Sequence, residues 1–119
     1  MTKSEYLTKI YTSEDQFQAA TFQFINHNYP KLRKLIFHVP NESATSNLMR
    51  MKLTAMGLTS GIPDIVCICP AFGIELKLPK GIQSDKQKLV VQIWKRAGIP
   101  YFLCHNSSEV VFCIENVLI

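Results

Sequence analysis

No stretch of this sequence approaches the roughly 20 consecutive apolar residues that a membrane-spanning helix needs. The opening Met1-Thr-Lys-Ser-Glu-Tyr6 lacks the apolar segment of a secretion signal. These absences lead us to expect no membrane partner and a place in the cytoplasm, or wherever the substrate lies. Cysteine is scarce, with four residues: Cys67, Cys69, Cys104 and Cys113. Cys67-x-Cys69 has no second close pair and no histidine beside it, which argues against a zinc site. Small reduced thiols used as core hydrophobes are the favoured expectation. Negative charge is not in excess either, since 13 lysines and arginines stand against 9 acidic residues, a net +4. That excess is modest and dispersed, so it suits a phosphate partner without requiring one. No repeat, linker or low-complexity segment interrupts the chain. Its 119 residues are expected to form one domain, 1–119, with one core.

What the sequence does hold is concentrated between Gly61 and Lys77. Ile65–Cys69 and Ile74–Leu78 are short β-forming runs, with Pro70 and Gly73 expected to bracket a tight turn. Asp64, Glu75 and Lys77 are the charged residues in this otherwise apolar hairpin. Side chains alternate along a strand, so Glu75 and Lys77 share one face, and Ile74, Leu76 and Leu78 share the other. Buried charge is costly unless it is paired or bound to a metal. Two carboxylates and a lysine at one end of a hairpin make a candidate site for a hard divalent cation, which prefers oxygen ligands.

Pro63-Asp64 followed by Glu75-x-Lys77 resembles the PD-(D/E)xK nucleases. Four ordered features extend that resemblance: Gly61-Ile-Pro-Asp64, Ile74-Glu-Leu-Lys77, Ser84-Asp-Lys-Gln87 and Gly98-Ile-Pro-Tyr-Phe-Leu103. Taken in order they resemble the VRR-NUC (virus-type replication-repair nuclease) domain, over roughly the whole chain from about Glu14. A lone Asp…Glu-x-Lys is weak, whereas the ordered set is specific. The resemblance implies an α/β fold, a mixed central sheet flanked by helices with a restriction-endonuclease-like core.

The rest of the chain reads consistently with that class. Residues 1–12 show no period and are expected as a frayed lead or a short extra helix. Ser13-Glu-Asp-Gln16 fits a capping box, with Phe17, Ala20, Thr21, Phe24 and Ile25 on one helical face before a stop ahead of Tyr29-Pro30. A strand is expected over 34–39, ended by Pro40-Asn41-Glu42. A second helix is expected over Asn47–Met56, with Leu48, Met51, Ala55 and Met56 as gap-filling core and Gly57 as its stop. Ser84 and Gln87 form a capping box for a helix whose stripe is Leu89, Val90, Ile93, Trp94 and Ala97. Gly98 and Pro100 end it, Tyr101–Cys104 is a short buried strand, and Ser107 or Ser108 starts the last helix.

The resemblance implies a metal-dependent deoxyribonuclease. Asp64, Glu75, Lys77 and Gln87 match the catalytic positions. Asp64, Glu75 and the Leu76 carbonyl match the ligands for Mg²⁺ or Mn²⁺, with Glu14 as a further candidate. Glu14 reads equally well as a charge complementing the helix N-terminus. Gln18, Asn41, Gly61, Lys80 and Ser84 are expected to face DNA or to support the site. Asn41 also reads as ordinary turn chemistry. The expected activity is a structure-selective endonuclease on branched DNA such as Holliday junctions, without base-specific recognition. A domain this small is expected to work as a homodimer, placing two sites on two strands. The family's name points to phage or bacterial replication and repair. The alternatives are a nicking, duplex or flap nuclease, a non-cleaving binder of DNA structure, and a small α/β protein in which Lys77 only ion-pairs.

Overall fold

Ser13 sets the first long helix. In the computed structural model, which describes residues 1–40 and 46–118, its hydroxyl accepts the Gln16 backbone N–H at 3.2 Å. This opens α2, Glu14–Asn28. The expected box is half formed. The Gln16 Oε1 passes Ser13 and accepts from the Thr12 N–H and hydroxyl at 3.0 and 2.8 Å. Phe17, Ala20, Thr21, Phe24 and Ile25 are all buried, as their spacing predicts. The lead before them resolves into a short helix, α1, Lys3–Leu7, capped by Thr2 and Glu5. Its Tyr6 is fully buried, stacks on Phe24 at 4.5 Å, and bonds Thr21 Oγ1 at 2.7 Å. Pro30 then starts a single 3₁₀ turn, Pro30–Leu32.

Four strands form one mixed sheet: β1 Ile36–His38, β2 Ile65–Ile68, β3 Ala71–Leu76 and β4 Tyr101–Cys104. Their spatial order follows the sequence, antiparallel from β1 to β3 and parallel between β3 and β4. The parallel pair is bridged by α4, Asp85–Arg96, because parallel neighbours need a long crossover. Phe72, Ile74 and Leu76 of β3 point into the core with Ile65 and Cys67 of β2. Phe17 and Phe24 of α2 meet them there, as do Val110 and Ile114 of α5, Ser107–Leu118. Gly73 and Glu75 face the other way, toward α4. The sheet thus has a greasy face under α2 and α5 and a second face on which the charged residues collect.

Gly73 does not lie in the turn. β3 begins three residues earlier than expected, and Gly73 sits mid-strand opposite Val66 and Tyr101. A Cβ there would come within 2.5 Å of Pro63 Cγ and 2.7 Å of the Trp94 ring. The missing side chain is the notch into which α4 seats Trp94. Gly73→Ala is expected to lower stability by about 1–3 kcal/mol through overpacking, read as a drop in thermal midpoint. An unchanged midpoint would mean that Trp94 repacks freely.

Two expectations about apolar faces are corrected. α3, Asn47–Ala55, is capped by Ser46 and closed at Gly57, whose φ is +107°. Leu58 N–H returns to the Leu53 carbonyl and Gly57 N–H to that of Thr54. Yet α3 buries no residue. Leu48, Met51 and Met56 are 79%, 70% and 73% exposed, not core. The sheet's greasy face is filled by α2 and α5, and α3 buries none of its residues against it. The α4 stripe also narrows: Val90 is buried and Trp94 half-buried, while Leu89 and Ile93 are largely exposed. Among the thiols, Cys67 and Cys104 are buried and Cys69 is exposed in the β2–β3 turn. Cys113 lies 3.8 Å from Cys104, sulfur to sulfur, and both are free. That contact, with burial, pushes the Cys104 thiol well up, and it draws the Cys113 thiol down. No described helix is long and apolar enough to cross a membrane.

Candidate active site

The approach to Asp64 is shaped by what touches Gly61. Gly61 has φ +87°, and a Cβ on it would sit 2.5 Å from the Lys86 carbonyl. A glycine is required there on both counts. Pro63 is buried against Gly73 and delivers the chain into β2.

Asp64 is held at both ends. Its main-chain carbonyl accepts the Val39 N–H at 2.8 Å and the His38 Nδ1–H at 2.9 Å. A carbonyl only accepts, so that His38 nitrogen carries the proton. The Asp64 side chain reaches across the hairpin, and its Oδ2 accepts the Leu76 N–H at 2.9 Å. One carboxylate oxygen is therefore spent on fixing geometry, while the carboxyl lines the cavity against Glu75.

Glu75 is 2% exposed, and its oxygens are divided between two elements. Gln87 Nε2 of α4 donates to Oε1 at 2.8 Å. The Tyr101 hydroxyl of β4 donates to Oε2 at 3.2 Å. Lys77 Nζ lies 3.9 Å from Oε1, on the same face as strand alternation requires. Burial, and then the neighbouring Asp64 carboxylate, push the Glu75 carboxyl up to about 8, with Lys77 and Tyr101 pulling the other way. Burial also drives the Tyr101 hydroxyl up, with Glu75 adding to it, so Tyr101 stays a donor. Gln87 serves two purposes at once. Its Oε1 accepts the Ser84 N–H at 2.8 Å, completing the capping box with the Ser84 hydroxyl, while its Nε2 serves Glu75.

These groups open onto a cavity of about 320 Å³. Glu14, Gly61, Asp64, Glu75, Lys77, Ser84 and Gln87 all line it, drawn from four separate stretches of chain. Leu76 is not among the lining residues, and its side chain is buried in the core. Gln18 and Lys80 are not among the lining residues. Asn41 falls outside the described residues. Thr59 and Lys86 line it with no sequence signal that pointed to them, and Tyr101, equally unsignalled, reaches Glu75 from outside the lining. The parallel register places Tyr101 beside Gly73, on the Glu75 face, and no local pattern announces that register.

The donor chemistry fits a hard divalent cation. Two carboxylates face one another at low solvent exposure, where one proton must otherwise offset their repulsion. Oxygen donors suit Mg²⁺ or Mn²⁺ over softer metals. Among the described residues, no group of three or more His, Cys, Asp or Glu could hold a metal. Glu14 thus lines the cavity without completing a three-carboxylate cage. Two carboxylates with water in the remaining positions is the habit of Mg²⁺.

Comparison with protein-family models and with curated proteins gave no match. Among solved structures, a VRR_NUC domain protein superposes with a TM-score of 0.77 at 19% identity. The match covers 92% of this chain and 90% of the other. The chain has the VRR-NUC fold. In this VRR-NUC fold the hairpin supplies the acidic pair, and the crossover helix returns over it with Gln87. The strand after that helix brings Tyr101 in from the side. α3 lies between the first two strands, and among the described residues on either side of it Val39 and Pro40 upstream and Thr59, Ser60, Gly61 and Ile62 downstream line the cavity.

Proposed function

We propose that this chain is a divalent-metal-dependent nuclease of the VRR-NUC family that hydrolyses phosphodiester bonds in DNA. The observation that carries the reading is Asp64 and Glu75 on one cavity, with Lys77 Nζ 3.9 Å from Glu75. Asp64, Glu75 and the Leu76 carbonyl would hold one or two Mg²⁺ or Mn²⁺ ions. Such an ion polarises the phosphate and lowers the pKa of water. Lys77 orients the attacking water and offsets the negative charge that develops as the bond from phosphorus to the leaving oxygen breaks. Gln87 keeps Glu75 turned into the cavity. Gly61 lets backbone approach the phosphate closely, and Lys86 adds positive charge at the rim.

The preferred substrate in this reading is branched DNA, with four-way junctions cut by a homodimer. One site cuts one strand, and a domain of this size offers little surface for a branched substrate alone. Labelled four-way junction, flap and linear duplex are compared with Mg²⁺, Mn²⁺ or EDTA, with light scattering at micromolar protein. Metal-dependent cutting of the branched substrates by a dimer is the expected result. Linear duplex cut as fast as junctions would make it a nicking or duplex nuclease. Tight junction binding with no cutting would make it a non-cleaving structure binder. A monomer would sink the paired-cut geometry.

A further inference from the structure

The hydroxyl of Tyr101 meets two acceptors, the Gly61 carbonyl at 3.0 Å and Glu75 Oε2 at 3.2 Å. It has one hydrogen, which is shared between the lip of the cavity and the buried carboxylate. Its ring stands edge-on to Trp94, centroids 5.5 Å apart, and Trp94 fills the notch above Gly73. Packing on that side fixes where the hydroxyl can be. Gln87 holds only the other oxygen, Oε1. One donor alone would leave the carboxylate free to rotate about its bond to the chain. Donors on both oxygens stop that rotation.

We propose that Tyr101 is a positioning residue for the cation site, tying Glu75 to the Gly61 lip so that the carboxylate stays turned toward Asp64. This rests on the nuclease reading above. Tyr101 touches neither phosphate nor water in this role. It acts through Glu75, as hydrogen-bond partners behind metal ligands do, where their loss costs about 10–100-fold in affinity or activity.

Tyr101→Phe removes the hydroxyl and keeps the ring. Calorimetric titration of Mn²⁺ into the DNA-free protein is expected to show affinity about tenfold or more weaker than wild type. In turnover, the Mn²⁺ concentration for half-maximal rate should rise by the same factor, with KM for DNA unchanged. Replacing Tyr101 by p-aminophenylalanine restores a donor at the same reach and should recover the affinity. It also provides the comparison if the phenylalanine variant does not fold. A folded Tyr101→Phe variant that binds Mn²⁺ like wild type overturns the positioning role and leaves the nuclease reading standing. So does a lowered thermal midpoint with unchanged affinity. Wild-type protein that takes up no Mn²⁺ overturns both.

Discussion

Lys77→Ala is expected to keep the fold and lose about 10²–10³-fold or more in cleavage rate, the scale on which one charge-stabilising donor is felt. The fold should survive because Lys77 is tied to the sheet through its backbone. Its N–H donates to the Cys104 carbonyl at 3.0 Å, and alanine keeps that bond. The side chain is 17% exposed and its amine faces Glu75 across 3.9 Å, so its loss empties the cavity of its nearest cation. Lys77→Arg should not restore the rate, because a planar guanidinium does not reproduce a compact ammonium in a fixed space. Single-turnover cleavage with saturating Mg²⁺, beside a thermal melt, separates the two effects. An alanine variant that cuts within threefold of wild type would remove Lys77 from the chemistry.

The metal-free protein is expected to lose stability steadily as pH rises from about 4.5 to about 8. Glu75 titrates near 8 in the folded chain against an ordinary 4.5, so the folded state binds its proton more tightly than the unfolded one. The stabilisation is complete below the unfolded value and is lost as pH climbs through the folded one. One such group gives a slope of at most about 1.4 kcal/mol per pH unit. The groups that face it are Asp64 at the start of β2, Lys77 after β3, Tyr101 of β4 and Gln87 of α4. Urea unfolding in EDTA at pH 5, 6, 7 and 8 measures the slope, and Glu75→Gln provides the baseline by removing the titration. Mg²⁺ should oppose the loss at the upper end, since a cation then takes the place of the departing proton. Parallel curves for wild type and Glu75→Gln would show that Glu75 is not held protonated.

The parts legible in the sequence are the local ones. Strand alternation alone put Glu75 and Lys77 on one face and Ile74 and Leu76 on the other. Ser13, Ser84, Gly57 and Gly98 marked helix ends because capping is settled within a few residues. Gly73 was misplaced into the turn because its role depends on Trp94, twenty-one residues away along the chain. Tyr101 went unnoticed for the same reason, since its partners are fixed by parallel register and not by spacing. The methionines of α3 read as core because an amphipathic pattern states that a face is apolar, not that another layer exists to cover it. Gln87's capping role was legible from Ser84 three residues before it, whereas its place near the hairpin was suggested only by the resemblance to the VRR-NUC domain; its bond to Glu75 is seen in the structure.

That uncovered face has a chemical consequence. The thioethers of Met51 and Met56 stand in solvent, open to mild oxidants that a buried methionine escapes. Conversion to the sulfoxide would turn an oily ridge into a polar one without opening a cavity beneath it. In this chain the wettability of one flank is therefore adjustable independently of what keeps the molecule folded.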